Sequence, residues 1–351
     1  MLKHLLISPE RVTPLKTDML IVGTFNPGAT LVNDRLMLVV RVAVSPANVP
    51  DDHFADIRFV DGELKCTALP ANDFDNQDSR VLRRRKDGLV TLSSLSYLQF
   101  VWIDDYRRPI EEWRLTWGDC FLPDNLYESF GVEDARCTWI EGCCFMTYTS
   151  VSPHGACTSL ATTTDFKTFK RHGVIFPCEN KDVVLFPDRI EGKIHALHRP
   201  VSATKFCAPE IWTASSEDGV FWGHHHVLAT GNAPFEADRI GAGTPPIGSH
   251  NRYHMFYHAS ANADEKASIG TYTAAVMELV VAHGRVQLQR RATNPLMIPT
   301  EPWELTGFVP NVVFPTGAVE LKDRWLVFYG AADTHVGVAD ISRNEIIESL
   351  E

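Results

Sequence analysis

The sequence feature that most constrains the fold is a short apolar segment that recurs five times along the chain. The five segments read LMLVVRVAV, CFMTYTSVS, IHALHRPVS, YHMFYHASA and WLVFYGAAD, and they begin at Leu36, Cys144, Ile194, Tyr253 and Trp325. Each follows another strand-like piece and a polar turn, which is the pattern of a β-hairpin. Five similar hairpins in sequence indicate a repeat architecture.

In two of the units a third strand follows, with an alanine, an acid and an aromatic residue at matching offsets. These residues are Ala161, Asp165 and Phe169 in one unit, and Ala214, Asp218 and Trp222 in the other. Repeated strands with polar turns and almost no helical periodicity predict an all-β fold, a five-bladed β-propeller with a central active-site pocket. A pair of β-sandwiches is the alternative, but five units in series fit rotation about an axis better. We expect one catalytic domain over residues 1–351.

Composition excludes several classes of partner. The formal net charge is −11, whereas nucleic-acid binding requires a concentrated basic surface, so no nucleic-acid partner is expected. The chain has neither an apolar signal segment nor a stretch of about 18 apolar residues, which predicts a cytoplasmic protein that does not bind membranes. No metal-binding spacing is present, and the three histidines of FWGHHH, residues 224–226, are predicted to form a turn.

In a propeller the first strand of each blade lines the central channel, so polar residues on those strands meet there. The candidates on the first strands are Asn26, Asp134, Lys181, Asp182, Arg239 and Asn311. The second strands add Arg41, His198, Arg199, His258 and Asp333. A polar depression with aromatic walls suits a sugar, which offers hydroxyl groups and faces for stacking.

The acids of GVEDAR are distinguished by strand alternation. Successive side chains of a strand point to opposite faces, so Asp134 and Arg136 share one face and Glu133 takes the other. This pattern singles out Asp134 as the acid that faces the channel.

Several long motifs then resemble one enzyme family. FNPGA with Arg41, YESFGVEDAR, KDVVLFPDRIEGKIHALHRP, RIGAGTPPI and VPNVVFPTGAV with FYGAADT are similar to glycoside hydrolase family 130, the β-mannoside phosphorylases and β-mannosidases. The resemblance implies a five-bladed propeller, inverting cleavage of β-linked mannose and one aspartate as proton donor, here Asp134. No cofactor is implied.

Two mechanisms remain open within that resemblance. In the phosphorylases inorganic phosphate is a co-substrate and attacks the sugar, and the residues that would hold it are Lys181, Arg199, Arg239 and His258. In the hydrolases water attacks and a carboxylate must take its proton. The resemblance implies a glutamate in the fourth unit, but Met255 stands at that position. Glu210 is therefore the candidate base, and Asp182 and Glu278 are further candidates.

We predict hydrolysis of β-mannoside oligosaccharides, in the manner of a β-1,2-mannosidase, since two segments resemble that branch of the family. The residues predicted to bind the substrate are Asn26, Arg41, Asp182, His198, Asn311 and Asp333. Phosphorolysis with release of α-mannose 1-phosphate is the alternative, and a carbohydrate-binding propeller without activity is a third reading. A furanosidase would need an acid at Asn26. A homo-oligomer is compatible with the sequence.

Overall fold

The regular structure of the chain is almost entirely β-strand. The computed structural model describes residues 1–75, 81–202, 204, 206–261 and 270–350, and within these ranges the α-helices are two short segments, α1 (Pro302–Leu305) and α2 (Arg343–Ser349). The predicted all-β class is confirmed. No helix in the described ranges is long and apolar enough to cross a membrane.

The first strand, β1 (Leu2–Ile7), joins the sheet at the other end of the chain, and the first antiparallel sheet then begins. Its first two strands are β2 (Met19–Val32) and β3 (Arg35–Pro46), and after β3 the chain leaves this sheet for an excursion. The excursion contains β4 (His53–Val60), β5 (Glu63–Pro70), β6 (Phe74–Asp75), β7 (Val81–Arg84) and β8 (Val90–Leu92). The sheet is completed by β9 (Leu95–Ile103) and β10 (Leu115–Phe121). We call β2, β3, β9 and β10 strand set one.

Strand sets two and three are each an antiparallel meander, and set two continues the sheet of set one, because its Gly131 pairs in parallel with Ser96 of β9. Strand set two consists of β11 (Gly131–Ile140), β12 (Cys143–Ser152), β13 (Gly155–Thr163) and β14 (Lys170–Phe176). Strand set three consists of β15 (Asn180–Leu185), β16 (Ile194–Pro200), β17 (Ile211–Ser216) and β18 (Gly223–Ala229). The histidine triplet lies in β18, so the predicted turn is wrong. His226 pairs with Thr213 of β17 as part of the sheet.

The remaining strands form two more antiparallel sheets. Strand set four consists of β19 (Arg239–Ala242), β21 (Arg252–Ala261), β22 (Thr271–Ala282) and β23 (Arg285–Arg291), with the short β20 (Ile247–Ser249) beside β21. Strand set five consists of β24 (Val313–Glu320), β25 (Arg324–Ala331), β26 (His335–Ser342) and β1. The chain therefore closes its last sheet with its own first strand.

The same buried contact recurs in three strand sets. A tyrosine on the second strand donates its hydroxyl to a buried glutamate in the segment before the first strand: Tyr148 to Glu128, Tyr257 to Glu236 and Tyr329 to Glu304, each at 2.7 Å. A cation on the outermost strand pairs with each glutamate: Arg171, Arg291 and Lys3. A buried carboxylate needs such partners, so this unit holds the segment against each sheet.

The repeated alanine, acid and aromatic offset also has a structural origin. Asp165 accepts hydrogen bonds from the backbone N–H groups of Lys167 and Thr168 at 2.8 and 2.9 Å. Asp218 accepts the equivalent pair from Val220 and Phe221. The acid thus stabilises the turn after the third strand, as short polar side chains do.

The hydrophobic core lies between successive strand sets. Buried residues of sets one and two pack together, for example Val39 and Met146, and so do residues of sets two and three, for example Leu160 and Leu185. A third cluster joins sets three, four and five, and a fourth packs Phe328 of set five against Leu38 of set one. The packing therefore returns from the last set to the first.

Candidate active site

A cavity of about 380 Å³ is lined by residues from all five strand sets, at one end of the first strands. The polar lining residues predicted from the sequence are Asn26, Arg41, Asp134, Lys181, Asp182, Arg199, Arg239 and Asp333. Phe25, Tyr272 and Phe314 supply aromatic walls. The size suits a small oligosaccharide, because ligand pockets begin at roughly 300 Å³.

Asp134 lies at a break in the pairing between β11 and β12. The register shifts between Glu133 and Arg136, and Asp134 itself has a φ of 51°. Its Oδ1 accepts hydrogen bonds from Asn26 Nδ2 at 3.0 Å and from Arg41 Nη1 at 3.2 Å. Among the described residues no hydrogen bond reaches Oδ2. One carboxylate oxygen is therefore held in place while the other remains available to a ligand.

Glu133 also lines the cavity, which corrects the prediction that it points to the opposite face. The extra residue of the β-bulge breaks the alternation, so neighbouring side chains reach the same side. Arg41 Nη2 donates to Glu133 Oε1 at 2.8 Å. Burial would lower the pKa of Arg41, but the carboxylates of Glu133, Asp134 and Asp333 raise it. One guanidinium thus fixes two acids in the cavity wall.

Arg136 is buried beneath Asp134 and does not line the cavity. Its Nη1 donates to the backbone carbonyl of Asp134 and its Nε to that of Gly243, both at 2.6 Å. Only 1% of its surface is exposed, and burial lowers its pKa. Arg136 therefore ties the bulge of set two to the chain that follows the first strand of set four.

A second charged cluster forms where set three meets set four. Arg199 Nε donates to Asp182 Oδ2 at 2.6 Å, and His258 Nε2 lies 3.4 Å from the same oxygen. Burial lowers the pKa of His258 to about 3, so its imidazole is neutral near pH 7. Burial would raise the pKa of Asp182, but the positive charge of Arg199 opposes this effect, and the pKa lies well below its usual range. The carboxylate is therefore ionised near pH 7.

Two further cations stand on the same wall as Arg199. Lys181 precedes Asp182 in β15, and its side chain has no hydrogen-bonding partner among the described residues. Arg239 begins β19 and donates through Nε to Asp238 Oδ2 at 2.8 Å. Its side chain is 36% exposed. Three cations from two adjacent strand sets therefore face one part of the cavity, which is the arrangement that a phosphate group requires.

Known proteins are similar to this chain in sequence and in fold. The profile of a family described as β-1,4-mannooligosaccharide phosphorylase, glycoside hydrolase family 130, matches residues 93–351. A β-1,2-mannobiose phosphorylase from Listeria innocua is 32% identical, over 99% of this chain and 96% of its own length.

The chain belongs to glycoside hydrolase family 130. A 1,2-β-oligomannan phosphorylase from a Thermoanaerobacter species is 33% identical over 62% of this chain and 70% of its own length. The structure of the Listeria innocua β-1,2-mannobiose phosphorylase in complex with β-1,2-mannobiose superimposes with a TM-score of 0.87 at 29% identity. That match covers 98% of this chain and 96% of the other.

Four residues predicted for the site of this family 130 protein do not line the cavity. They are Glu210, His198, His258 and Asn311. His198 alternates with Arg199 along β16 and so faces away, where it stacks on Phe176 with ring centroids 4.7 Å apart. Asn311 precedes Val312, which does line the cavity, and its backbone carbonyl accepts from the N–H of Tyr272.

Of the three carboxylates considered as bases, Asp182 lines the cavity, where Arg199 binds it, whereas the other two do not line it. Glu210 lies in the loop before β17, outside the cavity lining. Glu278 binds Arg252 and Arg290, and it too is absent from the lining. Glu179, which sequence reasoning missed, does line the cavity, as the residue that leads into β15.

Two glycines allow the polar groups to pack closely. A Cβ atom at Gly241 would lie 2.5 Å from His258 Cε1 and 2.8 Å from Asp182 Oδ2. A Cβ atom at Gly330 would overlap Asn26 Oδ1. The absence of a side chain at these positions therefore decides where Asp182 and Asn26 lie. In the described ranges no group of three or more His, Cys, Asp or Glu side chains is arranged to hold a metal ion.

Proposed function

We propose that this protein is a β-mannoside phosphorylase that releases α-mannose 1-phosphate with inversion, within a single catalytic domain. The observation that carries the proposal is the cationic wall of the cavity, formed by Lys181, Arg199 and Arg239. Phosphate is the co-substrate and no cofactor is needed. We favour a β-1,2-linked mannoside as the substrate. The Listeria innocua relative, which aligns with this chain over nearly its whole length, is named a β-1,2-mannobiose phosphorylase.

The preference for hydrolysis drawn from the sequence is the weaker reading. The relatives described above are named phosphorylases. A hydrolase requires a carboxylate beside the attacking water, but Glu210 is not in the cavity lining, and Asp182, which is, already pairs with Arg199. Phosphate carries its own negative charge to the anomeric carbon and needs cations around it instead.

The proposed roles follow from the contacts. Asp134 protonates the leaving oxygen, and Asn26 and Arg41 orient it through Oδ1. Arg199, Lys181 and Arg239 hold phosphate on the opposite side of the sugar. His258 is neutral and buried, so it supports Asp182 instead of contributing a charge, which corrects the cationic role expected from the sequence.

We further propose that the five strand sets are the blades of a propeller around this cavity. The first strands of sets one, two, three and four, β2, β11, β15 and β19, contact one another in that order, and β24 of set five contacts β2. The core clusters also run from set to set and return to the first. Both observations support a closed circular arrangement.

The decisive experiment is incubation with β-1,2-mannobiose in the presence and absence of inorganic phosphate, with the products followed by NMR. We expect α-mannose 1-phosphate and mannose in equal amounts, with no turnover when phosphate is omitted. Arg239→Gln should raise the KM for phosphate about 10- to 100-fold, as expected for a lost charge-assisted hydrogen bond. Arg35→Gln is the matched control, since Arg35 pairs with Asp104 and stacks over Trp102 at the surface, outside the cavity lining. Mannose as the sole product, formed at the same rate without phosphate, would refute the proposal.

A further inference from the structure

A second cleft, of about 440 Å³, lies between strand sets three and four, on residues distinct from those of the cavity described above. It is bounded by the turn before β16, by β17 and β18, and by the turn between β22 and β23. The basic groups that line it are Lys193, His195, His224, His225, His226, His283 and Arg285. On a chain with a net charge of −11, such a concentration of basic side chains requires a reason.

The two permanent cations of the cleft are not neutralised by the protein. In the described part of the chain, neither Lys193 nor Arg285 has a carboxylate within ion-pair distance. Glu191 is the one acid in the lining, and its carboxylate packs against Gly284. Elsewhere exposed arginines such as Arg107 pair with nearby acids. The cleft therefore presents a net positive charge to solvent.

His195 lies at the base of the cleft on β16 and is 9% exposed. Its pKa is lowered to about 4, first by burial and then by His226, Lys193 and His224. Hydroxyl groups of Thr213 and Ser215 also line the cleft, and Thr213 Oγ1 lies 2.9 Å from His226 Nε2. His225 instead contacts His198 at 3.2 Å. Hydrogen-bond donors thus accompany the positive charge.

We propose that this cleft binds a phosphoryl group, as inorganic phosphate or as part of a sugar phosphate. Lys193 and Arg285 supply the permanent charge, and the histidines and hydroxyls supply further donors to its oxygen atoms. A metal ion fits less well, because the described histidines are not arranged as a ligand set. The site is independent of the phosphorylase proposal, which concerns the other cavity, so either can fail without the other.

The affinity of this cleft for a phosphoryl group should depend on pH in one direction. A bound phosphoryl dianion stabilises protonated imidazole and raises the pKa of the histidines around it, so binding takes up protons. Glu191 opposes the anion at every pH in this range, and Lys193 and Arg285 favour it. For a sugar phosphate, whose second pKa of about 6 lies below this range, affinity therefore increases as the pH falls from 8 towards 6.5. Inorganic phosphate itself takes up a proton within this range, so the pH comparison applies to the sugar phosphate alone.

The test is a titration of the full chain with inorganic phosphate and, separately, with α-mannose 1-phosphate, at constant ionic strength and at pH 6.5 and 8. Histidine side-chain resonances are followed by NMR, and His195→Gln assigns the His195 signal. We expect saturable shifts for the cleft histidines that sodium chloride does not reproduce, with tighter binding of the sugar phosphate at pH 6.5. Tighter binding of the sugar phosphate assigns the site to the ester, and equal binding assigns it to the phosphoryl group alone.

The paired variants are Lys193→Gln with Arg285→Gln, and, as the matched control, Arg114→Gln with Lys322→Gln. The control cations are exposed, and their side chains form no hydrogen bond or ion pair among the described residues. We expect the first pair to weaken binding at the cleft at least about tenfold and the control pair to leave it unchanged. The proposal is overturned if the two pairs of variants give identical shifts of the cleft histidine resonances with phosphate. It is also overturned if sodium chloride produces the same shifts.

Discussion

Replacement of Arg136 by methionine tests whether a buried arginine positions the proposed proton donor. Methionine fills a similar volume but removes the bonds to the carbonyls of Asp134 and Gly243. Each hydrogen bond from a charged group contributes about 1.5–3 kcal/mol. Removal of a buried charge offsets part of that loss, because its desolvation is no longer required. We therefore expect the free energy of unfolding to fall by only about 1–3 kcal/mol.

The expected effect on activity is larger. The left-handed backbone at Asp134 costs on the order of 1–2 kcal/mol for a side-chain-bearing residue, and Arg136 is the side chain that holds its carbonyl. Without that bond the carboxylate shifts, and a displacement of about 1 Å reduces turnover on the order of 100-fold. The KM for phosphate should change little, since Arg199 and Arg239 are untouched. Arg136→Lys should be intermediate.

Urea unfolding and steady-state phosphorolysis measure the two effects separately. The control is Thr158→Val, which removes a buried 3.0 Å bond from Thr158 to the carbonyl of Asn180 that also joins two strand sets. It should cost about 1 kcal/mol of stability and leave kcat unchanged. If Arg136→Met loses kcat only in proportion to its unfolded fraction, the positioning role is refuted.

Three further predictions concern activity, and one concerns the dependence of stability on pH. Asp134→Asn should lower the phosphorolysis rate by about 10²–10⁴, as for loss of a general acid, and a rate above about a tenth of the original would contradict its role. Glu210→Gln should change kcat less than about threefold, whereas a fall of 10² would restore the hydrolytic reading. Gly241→Ala should raise the KM for phosphate about tenfold and lower the melting temperature, while Gly223→Ala, where a Cβ meets nothing within 4 Å, is its control. Burial lowers the pKa of His198 to about 3, below its unfolded value of about 6.5, so protonation favours the unfolded chain. Stability should fall by about 1.4 kcal/mol per pH unit below pH 6.5 from this group, and His198→Phe should flatten that slope in melting curves.

The sequence predicted the all-β class and the family, because strand periodicity and long motifs are local properties. It failed where a contact depends on a neighbouring strand. Glu133 was assigned to the wrong face because alternation does not anticipate a bulge. His258 was taken as a cation because its burial, which removes the charge, depends on packing against Phe314.

One error was avoidable from the repeats themselves. When the five apolar segments are aligned, His198 falls in the column of Tyr148, Tyr257 and Tyr329, whose hydroxyls point into the core. The next column contains Arg41 and Arg199, which line the cavity, and His258, which does not. A core position was thus recognisable, and His198 belonged to it. Glu210 had no such signal, because it lies in a loop outside the repeat.

The left-handed backbone of four polar residues affects how mutants of this protein are interpreted. Asn26, Asp134, Asp182 and Asn311 have φ values of 49°, 51°, 56° and 61°. Asparagine and aspartate tolerate that backbone better than alanine does, and glycine adopts it freely. An alanine scan would therefore report backbone strain together with the loss of each polar group. Glycine is the substitution that separates the two, and comparison of the glycine and alanine variants at each position measures how much of the binding chemistry is set by conformation.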